Sequence, residues 1–276
     1  MDKLRNTLSL ARSSWSVLQA DKELLLLPLL SGIASTIVAA SFIVPILLSG
    51  GADGEPTALG YVLLFVMYVV LAFVTIFFNA ALVAGAHERL HGGDPTVGSA
   101  LRAAASHTGR ILPWAVVSAT VSILLQAVQQ RAGLAGRGVA GIAGLAWTLV
   151  TFLVIPVIVI EGLGVGAAVK RSSALFKQTW GENVAARVGF GVLGFVLALP
   201  AVLIIAVGSV AGTVGAGIGI AVAVVWLLAV TLVMASLSSI FQTALYLFAA
   251  EREVPAGYFT PEQFRQAFGT SGTTSA

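Results

Sequence analysis

The chain has 276 residues, 58% of them hydrophobic and only 10% charged, with no cysteine and a formal net charge of +3. Globular domains carry about 25% charged residues, so an ordinary soluble domain is excluded. The missing thiols exclude disulfides, cysteine nucleophiles and thiolate metal sites. The 15 basic residues are scattered and form no basic domain, so nucleic acid is not an expected partner.

A spanning helix needs about 20 apolar residues to cross a hydrocarbon core of about 30 Å. Six stretches qualify: residues 24–48, 58–86, 111–130, 138–160, 188–211 and 216–250. Continuous apolar runs, rather than alternating segments of about 10 residues, rule out a strand barrel. The predicted fold class is therefore all-α: a polytopic membrane protein, one integral domain over 1–276, with six transmembrane helices in three hairpins and amphipathic helices on the cytoplasmic side.

In chain order, residues 1–22 form an amphipathic helix. Leu4, Leu8, Ala11, Trp15 and Leu18 share one face, opposite Lys3, Arg5, Asn6, Ser9, Arg12, Ser13 and Ser16. This is the pattern of a helix lying at the bilayer interface with its tryptophan at headgroup depth. Arg12, Asp21, Lys22 and Glu23 interrupt before any apolar run, so no cleaved signal is expected. Hairpin 1 covers 24–91. Gly92-Gly93 ends its second helix, and Asp94-Pro95 is expected to start a surface helix as N-cap and N1, within a surface helix and hairpin 2 over 95–161. Residues 169–180 repeat the arrangement ahead of hairpin 3, the unit running over 165–253. The tail, 254–276, holds a short helix at 260–268, where Thr260-Pro261-Glu262-Gln263 reads as a capping box and Phe264 and Phe268 share a face.

Thirteen of the 15 Lys and Arg residues fall on one side of this arrangement, and only Arg131 and Arg137 on the other. By the positive-inside rule both termini are cytoplasmic. The hairpins also look like copies of one unit. Arg12-Ser13-Ser14 with Gln19 and Glu23 matches Arg171-Ser172-Ser173 with Gln178 and Glu182 at the same offsets. Phe78-Asn79-Ala80-Ala81-Leu82 leading to Glu88-Arg89 matches Phe241-Gln242-Thr243-Ala244-Leu245 leading to Glu251-Arg252, and span four reaches Glu161 at the comparable place.

Polar residues within spans are costly and point to function or to helix pairing. Asn79 and its repeat equivalent Gln242 either line a substrate path or make interhelical hydrogen bonds, the commoner role. No Asp, Glu, Lys or Arg occupies the middle of a span, which argues against proton-coupled transport. Gln126, Gln129 and Gln130 read as a solvated helix end. Spans two and six exceed the bilayer thickness, so they tilt or project. Glu88, Glu161 and Glu251 are then expected in ion pairs with nearby Arg or Lys, with substrate or ion binding as the alternative. Gly138, Gly141, Gly144, Gly191 and Gly194 suggest close helix packing.

His87-Glu88-Arg89-Leu90-His91 is a literal H-E-x-x-H, which places two imidazoles on one helical face for zinc and offers a glutamate as general base. A catalytic zinc needs a third protein ligand. The candidates Asp94, His107 and Glu161 fit no downstream metzincin-type spacing. The equivalent segment Ala250-Glu251-Arg252-Glu253-Val254 keeps Glu-Arg without either histidine. The glycine clusters at 215–219 and 189–191 lack the strand-helix context of a nucleotide site.

The run from Leu24 to Gly32, Glu88-Arg89-Leu90 with Gly92-Gly93-Asp94-Pro95-Thr96, Pro156 to Gly162, and Lys170-Arg171-Ser172-Ser173 with Thr179-Trp180-Gly181-Glu182-Asn183 carry a further likeness. In these the chain resembles a family of bacterial six-span membrane proteins of unknown function, itself distantly similar to the membrane domain of glycerophosphodiester phosphodiesterases. The resemblance implies a multi-pass protein of the bacterial plasma membrane. It supplies no catalytic residue, and the phosphodiesterase barrel is missing. The expectation is an integral plasma-membrane protein without enzymatic activity or cofactor, in contact with membrane lipids and an unidentified membrane or cytoplasmic protein partner. Its role is transport of a small or lipid-like solute, or membrane scaffolding. The alternative is a zinc-dependent membrane protease using His87 and His91.

Overall fold

The computed structural model describes residues 2–49, 57–131, 134–180, 185–251 and 257–260, and only the backbone for 2–8, 134–136, 178–180 and 185–190. Among the described residues every regular element is helical. In order these are α1 (Asp2–Ala20), α2 (Leu26–Leu48), α3 (Ala58–Leu90), α4 (Val97–Ser106), α5 (Thr108–Arg131), α6 (Leu134–Val150), the single turn α7 (Val154–Pro156), α8 (Val165–Trp180), α9 (Ala185–Val210) and α10 (Gly212–Ala250). Six segments are long and apolar enough to cross a membrane: Lys22–Leu48, Ala58–Leu90, Thr108–Arg131, Arg137–Glu161, Gly191–Val210 and Gly212–Ala250. The protein is an all-α, polytopic membrane protein. The charged loop residues Asp53 and Glu55, the basic residues Arg252 and Arg265, the 260–268 tail helix with Phe264 and Phe268, and residues 181–183 lie outside the described residues, as does the side chain of Arg187.

The chain folds back helix on helix, α2 on α3, α5 on α6 and α9 on α10. The helices divide lengthwise into two zones. In one, large apolar side chains such as Ile37, Leu47, Leu59, Val139, Ile142, Leu203 and Val225 are exposed. In the other, around the basic-side ends, Leu18, Leu27, Leu82, Ile111, Leu153, Leu175, Ile240 and Leu245 are fully buried in one core. In α3 the change comes after Asn79: Leu59, Tyr61, Val62, Leu64, Phe65 and Val66 are exposed, whereas Ala80 to Val83, Gly85 and Ala86 are buried. The first part of α3, from Ala58 to about Asn79, is therefore about 30 Å long, one hydrocarbon thickness. The remaining turns project into the packed core, which is how this span accommodates its 33 residues.

Four expectations need correction. Span four is not one continuous helix: α6 ends at Val150, a turn follows at residues 151–153, and after α7 the chain winds as a π-helix over Val157–Glu161 before Gly162 stops it at φ +64°. The surface helix α4 is capped by Thr96, not Asp94. The Thr96 hydroxyl accepts the Ser99 amide at 3.0 Å while the Ser99 hydroxyl accepts the Thr96 amide, and residues 94–95 remain non-helical. An Oγ at Thr96 reaches the N3 amide of Ser99, which Asp94, two residues too early, does not.

The third correction concerns α1. It packs on α10 and α9, burying Leu10, Ala11, Ser13, Ser14, Val17 and Leu18 while Trp15 stays 41% exposed. Small serines let the helix seat closely, and Ser14 returns its hydroxyl to the Leu10 carbonyl at 3.0 Å, so burial of this polar face leaves that group satisfied. The fourth concerns glycine. A Cβ at Gly138, Gly141 or Gly191 would meet nothing within 4 Å, and at Gly144 and Gly194 only ordinary side-chain contacts at 4.0 and 3.7 Å. The close approach is elsewhere: a Cβ at Gly208 would fall 2.6 Å from the Gly215 carbonyl oxygen and 2.9 Å from the Gly219 Cα. The α9–α10 hairpin is closed by backbone lying directly on backbone, after a turn at Ala211 and Gly212, the latter at φ +79°.

Candidate functional site

Asn79 stands where the exposed and buried zones of α3 meet. Its amide nitrogen donates to the Ser239 hydroxyl of α10 at 3.2 Å. Its carbonyl oxygen is buried and has no hydrogen-bond partner among the described residues. Around it lies a cavity of about 410 Å³ between α2, α3 and α10, lined by Ser31 and Ser35, by Thr75 and Asn79, and by Thr231, Ser238 and Ser239, with Pro28, Phe78, Leu82, Leu228 and Leu232 between them. Thr75 and Thr231 donate back to their own helices, at Leu71 and Leu227. Ser31, Ser35 and Ser238 make no side-chain hydrogen bond among the described residues. A cavity of this size suits a small organic molecule, and its polarity is all hydroxyl and amide. The serines escaped the sequence reading, although Ser31 and Ser35 recur one turn apart and Ser239 lies one turn before Thr243, because single hydroxyls in apolar helices usually bond their own backbone.

Gln242 does something different. Its side-chain amide donates to the Phe152 carbonyl, at the turn that interrupts span four. At the same turn the Ser172 hydroxyl of α8 donates to the Val150 carbonyl and accepts the Leu153 amide. Phe152, Leu153 and Val154 are buried, so backbone groups released by the break are met by side chains from two other elements. Irregular backbone at such a place is tolerated only when protein satisfies it. The two repeat-equivalent residues thus serve different ends: Gln242 is sealed in the core and Asn79 lines the cavity.

The glutamates also diverge. Glu161 accepts from Arg171 Nε and from the Tyr246 hydroxyl, both at 2.9 Å, tying the π-helix to α8 and α10. Glu88 accepts instead from the Ser99 hydroxyl at 3.3 Å, a contact with α4 rather than the expected ion pair. Its neighbour Arg89 takes the charges, facing Asp21 at 3.3 Å and Asp94 at 3.6 Å while donating to the Gly93 carbonyl. Burial lifts the Asp21 carboxyl above its ordinary pKa, and the Arg89 charge opposes that rise. Glu251 is the exposed C-cap of α10 and forms no ion pair among the described residues. Glu23 adds a link the sequence did not announce: its carboxylate accepts the Val97 amide at the start of α4, 3.1 Å away, where a helix N-terminus favours negative charge.

His87 and His91 lie side by side, ring centroids 4.3 Å apart, with His91 Nδ1 2.8 Å from the His87 carbonyl. Asp94 faces Arg89, His107 Nδ1 contacts Ser106 and Ala103, and Glu161 is held by Arg171 and Tyr246. Among the described residues no three His, Asp or Glu side chains converge as a metal set. α3 ends at Leu90, and Gly92 follows at φ +83°, so the second histidine is the helix's C-cap and not part of its rigid body.

No curated protein and no solved structure matches the chain. A family model does match, over residues 58–256, from the start of α3 past the end of α10. With most of the chain covered, including the cavity walls contributed by α3 and α10, this protein belongs to DUF6159, a family of unknown function.

Proposed function

We propose that this is a non-enzymatic protein of the bacterial plasma membrane, both termini cytoplasmic, that takes a small lipid-like solute from the bilayer into the cavity between α2, α3 and α10 for transport or delivery. The observation that carries the reading is a space lined by the hydroxyls of Ser31, Ser35, Thr75, Thr231, Ser238 and Ser239 and bordered by Asn79, in otherwise apolar surroundings. The distant resemblance of the six-span family to the membrane domain of glycerophosphodiester phosphodiesterases supports the reading of a membrane part working without a catalytic barrel. Scaffolding has less support, because α1 turns its buried face into the protein's own core instead of offering it to a partner.

Gly32 lines the cavity, and a Cβ there would meet nothing within 4 Å, so Gly32→Phe fills the space without displacing the fold. Lipid extracted from wild-type protein purified from its native membranes is expected to contain a component depleted in the variant. Identical lipid content in the two preparations would overturn the reading. Orientation has its own test, since the chain has no native cysteine. In intact cells, Gln129→Cys should react with a membrane-impermeant thiol reagent and Arg12→Cys should not. The reverse pattern would put the basic side outside.

A further inference from the structure

We infer that Arg110 and Arg171 form a site for the phosphate headgroup of an anionic phospholipid at the basic-side border of the membrane, with an acyl chain lying along α5. The site shares no residue with the cavity between α2, α3 and α10, and it stands whether or not that cavity holds a solute.

The site is built where span four ends. The π-helix closes at Glu161, and Gly162, at φ +64°, turns the chain toward α8. Arg171 reaches Glu161 from α8 through its Nε at 2.9 Å, and its side chain remains 39% exposed. Its two terminal nitrogens make no hydrogen bond among the described residues. Arg110 comes to the adjacent residue from α5. Its guanidinium carbon and both terminal nitrogens lie 3.9–4.0 Å from the position a Cβ at Gly162 would take. Arg110 is exposed, and its side chain has neither a hydrogen bond nor an ion pair among the described residues. Two helices thus bring two guanidinium groups to consecutive residues, one group partly used and the other unused.

Charge selects the headgroup. Arg110, Arg171 and Lys170, which is exposed next to Arg171 in the chain, carry three positive charges. Against them stand Glu161 and, exposed at the end of α10 five residues after Tyr246, Glu251. Positive charge is left over even when both carboxylates are counted. The free N–H groups of a planar guanidinium fork suit phosphate oxygens, which only accept.

Depth selects a lipid over a soluble anion. Arg110 heads an exposed stripe of α5: Pro113, Val117 and Leu124 follow it at three, seven and fourteen residues, on one helical face. At about 1.5 Å per residue, Leu124 lies about 21 Å from Arg110, which exceeds one leaflet of a core about 30 Å thick. A phosphate held at Arg110 therefore has its acyl chain against apolar side chains. Cations at a membrane surface attract anionic lipid in general, and the two arginines gather that attraction at one point.

The test places the full chain in phosphatidylcholine vesicles carrying a trace of phosphatidylglycerol or phosphatidylcholine with a diazirine in the acyl chain, and quantifies labelled peptides of α5 by mass spectrometry. One surface cation corresponds to about fivefold in binding of an anionic lipid, so phosphatidylglycerol should label residues 113–124 at least that much more strongly. Arg110→Gln, which removes no polar contact among the described residues, should lower the preference about fivefold. Arg171→Lys keeps a charge for Glu161 but loses the fork, and it should lower the preference with thermal stability retained. Arg12→Gln, which removes an exposed cation of α1, and Gly32→Phe, which fills the other cavity, should leave it unchanged. An equal loss in either would overturn the site. Equal labelling by the two lipids in the wild type would overturn the anionic headgroup. Displacement of the label by millimolar glycerol phosphate at constant ionic strength would overturn the lipid as occupant in favour of a soluble phosphate ester. Arg110→Gln decides the matter even if Arg171→Lys fails to fold.

Discussion

Above and below Asn79, α3 meets two environments. Toward Ala58 its large apolar side chains are exposed, and toward Leu90 its small residues, Ala80, Ala81, Gly85 and Ala86, are buried against other helices. The same change runs along α10, from exposed Val214, Ile218 and Val225 to buried Ile240, Leu245 and Tyr246. In a bilayer the exposed zone gains nothing from the hydrophobic effect when helices meet, because lipid is as apolar as leucine. There, association depends on close backbone contact, as at Gly208, Gly215 and Gly219, or on isolated hydrogen bonds such as the Trp226 indole donating to the Leu197 carbonyl at 2.9 Å, next to the Pro200 turn. The basic-side zone holds a conventional core, knitted by α1, α4 and α8, in which burial removes apolar surface from water.

That contrast can be broken by truncating one residue in each zone. Leu27 is fully buried and Ile37 is 64% exposed. Leu27→Ala should cost about 2–5 kcal/mol by transfer and cavity terms, whereas Ile37→Ala, facing lipid, should leave thermal stability in nanodiscs nearly unchanged. Equal losses would mean that the exposed zone is packed against something other than lipid.

Gly208→Val sharpens the rule for the exposed zone, since its side chain has only backbone to displace. A loss of about 1–3 kcal/mol is expected, with Gly138→Val, in open space, as the silent control. The smallest effect is expected at the buried turn. Gln242→Leu leaves the Phe152 carbonyl without its side-chain donor, a cost of about 1–2 kcal/mol. Amide exchange at residues 151–153 should rise while the exposed halves of α9 and α10 stay protected. Unchanged exchange would show that the break is held by Ser172 alone.

Several of these features were legible in the chain itself. Twenty-residue apolar runs between basic loops leave few options once every backbone group must be paired inside lipid, which fixes six spans and one all-helical class. The length of span two already required tilt or projection, and Gly92 after His91 already marked the end of its helix. Asn79 and Gln242 stood out because amides are costly in apolar helices.

Which amide faced what was a matter of tertiary structure. Gln242 and Asn79 occupy equivalent places in similar sequence, yet one meets a broken backbone and the other a space. That difference is set by what the neighbouring helix does: Pro156 has no N–H for the Phe152 carbonyl four residues earlier, so span four breaks there, and the sequence alone did not tell which distant side chain meets that carbonyl. The buried face of α1 was likewise decided by its partners, since Trp15 and Leu18 share a stripe whose hydrophobicity alone does not tell lipid from protein. Helical class and span number follow from the solvation of single helices, a one-dimensional property of the chain. The core, the broken span and the cavity arise from contacts between helices, where distant residues meet and a lone carbonyl oxygen is left without a donor.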